Sequence, residues 1–162
     1  MPTFRHATLI TLSGLLWFTV GVSLLSLGLS LLVFASENAG NFPLIEALER
    51  VVGSADSAAL LCVCAALGIG YFKGRYVLLK SVRRVVERIC SVAEPRTVAG
   101  MYSWQYCALI GSMVLLGISI KHLGIPSDIR GVVDVAVGGA LVNGAMIYFR
   151  FASVVRREAK AD

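Results

Sequence analysis

The sequence predicts an all-α integral membrane protein, built as a bundle of four transmembrane helices, and three observations lead to this fold class. The 162-residue chain is 57% hydrophobic and only 15% charged, and its mean hydropathy is +0.78. Soluble domains carry about 25% charged residues and about 45–50% apolar ones. The apolar residues fall in four long stretches, and most of the cations lie between or after them. Since lipid must cover the excess apolar surface, we expect one membrane domain over residues 1–162.

Each of the four apolar stretches is long enough to cross a bilayer. The hydrocarbon core is about 30 Å thick, so a membrane-spanning helix needs about 20 apolar residues. We predict spans over about 7–35, 51–72, 104–124 and 128–151. The first stretch is far longer than the apolar region of a cleavable signal peptide, which has about 7–15 residues. It is therefore predicted to remain in the protein as a helix.

The outer loop at 36–50 is predicted to contain a short amphipathic helix. Asn41 is expected to be its N-cap and Pro43 to lie at its first position, because these residue types favour those places. This helix is expected either to lie on the outer face or to extend the second span as a lid. Before the fourth span, Ser127 is the expected N-cap, with Asp128 in the first turn favouring the helix dipole.

The distribution of the cations predicts the orientation of the chain. Twelve of the fifteen Lys and Arg residues lie near the N-terminus, in the segment at 73–96, or in the C-terminal tail. Cytoplasmic loops are enriched in Lys and Arg, so both termini and this segment are predicted to be cytoplasmic. We expect a multi-pass protein of the bacterial inner membrane. The net charge of +5 is explained by orientation and does not indicate binding to nucleic acid.

The segment at 73–96 is predicted to form a basic amphipathic helix that continues the second span. Apolar residues recur on one face at helical spacing, and cations occupy much of the rest. Such a helix is expected to contact anionic lipid headgroups, although it could instead dock a cytosolic partner. The residues predicted to contact headgroups are Lys73, Arg75, Lys80, Arg83, Arg84 and Arg88.

Two parts of the chain resemble each other and predict an internal repeat. Residues 21–28 align with 117–124, with four identical positions, and residues 71–73 align with 148–150. Two similar hairpins in the same orientation would be related by an axis along the membrane normal, as in some transporters. The alternative is that Gly, Leu and interfacial aromatic residues recur because membrane helices favour them.

Four polar residues in the second half of the chain are the predicted substrate-binding or ion-binding site. They are Lys121, His122, Asp134 and Asn143. Counting along the helices places Lys121 and Asp134 at similar depth, about 26 and 21 Å from the cytoplasmic interface. Ionisable groups inside a membrane are costly and indicate functional sites. The alternative is that Lys121 and His122 reach the outer headgroups while Asp134 lies near the start of its helix.

Small residues predict where the helices pack closely. Gly14, Gly21 and Gly28 recur every seven residues and form a stripe on the first span. A stripe of this kind lets another backbone approach. The fourth span has a similar small-residue face that includes Gly138, Gly139 and Gly144. We expect tight packing at both, within the bundle or between two copies of the chain.

These features favour a small transporter or channel subunit that moves a small solute or ion, preferably an anion. Four helices enclose little space, so a homo-oligomer or a larger membrane complex is expected. The alternative is a non-transporting membrane subunit that binds lipid or scaffolds a complex. No metal or cofactor is expected, because the cysteines are scattered and the two histidines lie at opposite ends of the membrane. Enzyme activity is not expected, since no catalytic pair of acids and no phosphate-binding loop occurs.

Overall fold

The computed structural model describes residues 2–78 and 123–161, together with positions 83, 115 and 119. Its main elements are four α-helices, which we number in chain order: α1 (Pro2–Glu37), α2 (Pro43–Val52), α3 (Ala55–Lys73) and α4 (Ser127–Ala161). A 3-10 turn at Ala39–Asn41 precedes α2, and a π-helical turn at Gly74–Leu78 follows α3. The all-helical prediction is confirmed for this part of the chain. Most of the predicted third span, 104–124, lies outside it.

Three of these helices are long and apolar enough to cross a membrane. The apolar segments are Ala7–Glu37, Ala55–Tyr76 and Ser127–Arg157, and the most apolar 18 residues of each have mean hydropathies of 2.2, 1.7 and 1.7. Helices of this length and composition indicate a multi-pass membrane protein. Many of their large apolar side chains are exposed on the bundle surface, as lipid-facing residues would be.

The second span begins later than the sequence predicts, because the chain breaks between α2 and α3. Gly53 has a φ of 88°, in the left-handed region that glycine tolerates, and its N–H donates to the carbonyl of Glu49 at 2.7 Å. The Ser54 hydroxyl then accepts from the N–H of Ser57 at 3.3 Å and caps α3. The predicted start of the second span at residue 51 is therefore wrong, and α2 is a separate helix.

The expected N-cap of α2 is also wrong. Pro43 occupies the first turn as predicted, but the N-cap residue is Phe42, which makes no side-chain cap hydrogen bond. Asn41 lies in the preceding 3-10 turn. Ile45 is fully buried and packs with apolar residues of α1, α3 and α4, so α2 lies across one end of the bundle.

Helices α1 and α4 run antiparallel along a seam of small residues. Gly14 faces Tyr148, Gly21 faces Gly138, and Gly28 faces Gly131 and Val135. A Cβ at Gly28 would lie 2.7 Å from the Val135 nitrogen, so the two backbones are in contact. Buried small residues recur every seven positions on both helices, at Ala7, Gly14, Gly21, Gly28 and Ala35, and at Gly131, Gly138, Ala145 and Ala152. This period is typical of left-handed helix packing.

Helix α3 packs on another side of α4 and runs parallel to it. Gly70 meets the Ala136 carbonyl, and one turn later Gly74 meets Ala140. Helices α1 and α3 therefore pack on two sides of α4, which is the centre of the described bundle.

Candidate functional site

Asp134 lies inside the fourth span, and one of its oxygens is buried without a hydrogen bond. Its side chain is 14% exposed, and Oδ2 has no hydrogen-bond partner among the described residues. The nearest opposite charge there is Arg130, one turn earlier on α4, whose Nε lies 3.7 Å from Oδ2. At this distance Arg130 and Asp134 form an ion pair, but the two atoms are too far apart for a hydrogen bond. Asp134 therefore keeps hydrogen-bonding capacity that none of the described residues uses.

Arg130 is a partner that sequence reasoning missed. Its side chain is 25% exposed, and its guanidinium carries five N–H donors beside the carboxylate. The signal was present in the sequence, because an Arg and an Asp four residues apart meet on one face of a helix.

Asn143 does not share a side of α4 with Asp134. The two residues are nine positions apart, which is about two and a half helical turns and about 13.5 Å along the axis. A Cβ at Gly139, one turn before Asn143, would lie 3.2 Å from a methyl group of Leu67 on α3. Asn143 is therefore on the α3 side of α4, and Asp134 lies on the side away from α3.

Two members of the predicted polar site belong to the part of the chain between α3 and α4. Lys121 and His122 lie outside the described residues, and so does the predicted pairing of Lys121 with Asp134. The superposition of the two predicted hairpins also depends on residues in that part of the chain. The described polar residues of this candidate site are Asp134, Arg130 and Asn143.

Asp128 is a second buried acid on α4, and its hydrogen bonds are satisfied. It is fully buried, and its Oδ2 accepts from the N–H of Leu44 at 2.7 Å and of Ile45 at 3.4 Å. Its Oδ1 accepts from the N–H of Ile129 at 2.7 Å. Asp128 thus caps α2, more than 80 positions away in the sequence, as well as lying in the first turn of α4. An acid at a helix N-terminus also interacts favourably with the helix dipole.

The helix-packing glycines occupy different interfaces. Gly14, Gly21, Gly28 and Gly138 lie in the α1–α4 seam, whereas Gly139 faces α3. Gly144 is buried on α4. The α1 glycine stripe therefore faces α4 of the same chain rather than an open surface.

The basic residues after α3 are described only in part. Lys73, Arg75 and Arg83 are exposed, and Arg75 donates to the hydroxyl of Tyr71 at 3.3 Å. Lys80, Arg84 and Arg88 lie outside the described residues. Lys73 and Arg75 lie at the end of the second span, and their contact with headgroups stays a prediction.

The described cysteines and acids do not form a metal site. Cys62 is buried and Cys64 is exposed, and both are free thiols. Within residues 2–78 and 123–161, no three His, Cys, Asp or Glu side chains group closely enough to hold a metal ion.

Comparison with known proteins gave no relative for this chain: no protein family, no curated protein and no solved structure matched it significantly. The functional assignment therefore depends on the residues and their geometry.

Proposed function

We propose that the protein is a multi-pass protein of the bacterial inner membrane and a subunit of a transporter or channel for a small anionic solute or ion. The observation that carries this proposal is the buried Oδ2 of Asp134, which lies in an apolar span without a hydrogen bond to any described residue. Buried polar atoms are nearly always hydrogen-bonded, and exceptions are frequent at functional sites. Ionisable residues inside a span commonly belong to solute or ion pathways.

In this proposal Arg130 binds the anion, and Asp134 holds the Arg130 side chain in position. The guanidinium carries donors that match the oxygen atoms of an anion, and its Nε lies 3.7 Å from Oδ2 of Asp134. An arriving anion is proposed to accept hydrogen bonds from those donors, which Asp134 does not occupy. Lys121 and His122 are proposed to add positive charge from the third span. Asn143 lies on the side of α4 that faces α3. It is proposed to bind other residues within the bundle and not the anion.

The directions of the helices support a topology with both termini in the cytoplasm. Helix α1 is antiparallel to α4, and α3 is parallel to it. The end of α3 and the start of α4 therefore lie at opposite ends of the bundle, which supports one further crossing between them. With four crossings, both termini lie on one side, and the positive-inside rule favours the cytoplasm. Helix α2 then lies on the outer side. A homo-oligomer is proposed to complete the solute path.

The test measures anion flux into proteoliposomes that contain either the Asp134→Asn or the Arg130→Gln variant. Each variant is expected to reduce flux by about tenfold or more while leaving the amount of folded protein unchanged, because each removes one side of the pair. Asp56→Asn is the matched control, since Asp56 is an exposed acid in the first turn of α3. Flux at the wild-type level in both site variants would contradict the site, and loss of flux in all three would show a nonspecific effect.

A second candidate is a non-transporting subunit that scaffolds a membrane complex, and the α1–α4 seam favours it. Backbone contacts along the whole seam make these two helices a fixed unit with little room for movement. If the protein conducts no anion tested and all site variants are stable, this candidate is preferred.

A further inference from the structure

A groove lies between α1 and α4 at the end of the bundle opposite α2. Its volume is about 360 Å³. The residues that line it are Thr11 from α1 and Phe149, Ala152, Ser153, Arg156 and Arg157 from α4. The α4 residues recur at spacings of three and four, so they share one face of the helix.

The floor of the groove is apolar and is shaped by the α1–α4 seam. The ring of Phe149 lies over Gly14, where a Cβ would be 2.9 Å from a ring carbon, and packs obliquely against Phe18. Ala152 is buried and has only a methyl group, which leaves space beside the ring. The hydroxyl of Thr11 donates to the Ala7 carbonyl at 2.8 Å.

The rim of the groove carries positive charge. Arg156 and Arg157 are exposed, and no ion pair to either is present in the part of the chain that the structure describes. Ser153 lies beside them, with its hydroxyl donating to the Arg150 carbonyl at 2.7 Å. Two guanidinium groups next to each other offer the paired donors that recognise phosphate oxygens.

The groove lies at the level where a span meets the membrane surface. The apolar segment of α4 ends at Arg157, so the guanidinium groups are at its boundary. Exposed apolar side chains continue from this level into the span, including Val154 and Met146 on α4 and Leu12 on α1. In the proposed topology this is the cytoplasmic leaflet, which holds anionic lipids.

We propose that this groove binds a phosphate group at the inner membrane surface, supplied by an anionic phospholipid. The phosphate lies between Arg156 and Arg157, and the acyl chains follow the exposed apolar residues of α1 and α4. Basic pockets between membrane helices on the cytoplasmic side bind anionic headgroups in this way. The site is separate from the proposed solute site, because Asp134 is 22 residues, or about 33 Å, away along α4.

The test is titration of the purified full-length protein with phosphatidylglycerol, with bound lipid counted by native mass spectrometry. The Arg156→Gln/Arg157→Gln double variant is expected to weaken binding at least about tenfold, since each cation near an anionic lipid contributes a factor of about five. The matched control is Lys73→Gln/Arg75→Gln, which removes two exposed cations at the end of the second span, away from the groove, since Gly74 between them packs on Ala140. It is expected to retain nearly wild-type binding.

Two further measurements test the proposal. Ser153→Leu fills the groove without changing its charge and is expected to weaken binding even if the double variant does not fold. Addition of millimolar inorganic phosphate distinguishes the two sources of the phosphate group. If the lipid is not displaced, the site binds a phospholipid. If the lipid is fully displaced, the site binds free phosphate. Equal weakening in the two double variants, or unchanged binding in Ser153→Leu and the Arg double variant, would overturn the proposal.

Discussion

Two acids on α4, six positions apart, are buried in different ways and are therefore assigned different roles. Asp128 accepts three backbone hydrogen bonds, two of them from α2. Asp134 has only Arg130 at 3.7 Å and leaves a buried oxygen without a hydrogen bond to the described residues. A carboxylate whose bonds are complete stabilises the fold, whereas an incomplete one is free to take part in binding. Asp128 is therefore structural, and Asp134 is the candidate site residue.

Replacement of Asp128 by Ala is expected to loosen α2. The free energy of unfolding should fall by about 2 kcal/mol, because hydrogen bonds to a charged acceptor contribute about 1.5–3 kcal/mol and the freed N–H groups lose their cap. Cys62 provides a local readout, since this buried thiol packs in the same cluster as Ile45 of α2. In a chain whose other three cysteines are replaced by Ser, alkylation of Cys62 is expected to speed up when Asp128 is changed.

Asp56→Ala is the control for this experiment, because Asp56 is an exposed acid at the same end of the bundle. It is expected to leave both unfolding and alkylation near the values of the parent chain. If Asp128→Ala unfolds at the parent denaturant concentration and Cys62 stays protected, the capping role is wrong.

At the scale of the elements, the α1–α4 seam requires glycine only where backbones meet. A Cβ at Gly28 would lie 2.7 Å from the Val135 nitrogen and 2.8 Å from the Gly131 carbonyl oxygen. Both neighbours are backbone atoms, so they cannot move aside as a flexible side chain can. At Gly68, in the middle of α3, a Cβ would have no neighbour within 4 Å.

These two glycines form a matched pair for measuring the seam. Gly28→Ala is expected to destabilise the protein by about 1–3 kcal/mol, because added volume in a tight contact forces the helices apart. Gly68→Ala is expected to be neutral or stabilising by up to about 1 kcal/mol, because alanine favours a helix. Unfolding in mixed detergent micelles, followed by tryptophan fluorescence, measures both; equal effects would show that the seam is not tightly packed.

The sequence predicts the helices better than it predicts their ends. The seven-residue spacing of Gly14, Gly21 and Gly28 is visible in the sequence, but their contact with α4 is known only from the fold. The break at Gly53 was missed because Val51 and Val52 continue the apolar pattern into the second span. Val51 is 85% exposed, since it lies at the last turn of α2 and faces away from the bundle.

The sequence alone singles out one residue of the candidate site but not all of its neighbours. A charged residue in an apolar span marks Asp134 without any structure, and helical spacing would have paired it with Arg130. Asp128 and α2 could not have been paired, because their hydrogen bonds join parts of the chain 83 and 84 positions apart. Helical periodicity places Asp134 and Asn143 on opposite sides of α4, because nine positions are about two and a half turns. Which of these sides faces α3 is known only from the fold.

At the scale of the whole molecule, the two ends of the bundle differ in construction. One end is closed by α2, with Ile45 buried and Asp128 holding its N-terminus. The other end bears the groove and exposed arginines at 156 and 157. In our account the closed end faces outward and the basic end faces the cytoplasm, and both binding proposals depend on this orientation.

The most direct test of the account is therefore the side of the membrane on which each end lies. Asn41→Cys and Ser153→Cys are introduced singly into a chain without other cysteines, since both positions are exposed. A maleimide that cannot cross membranes is then applied to intact cells and to permeabilised cells. We predict labelling of Asn41→Cys in intact cells and of Ser153→Cys only after permeabilisation. Labelling of both in intact cells, or the reverse pattern, would contradict the account.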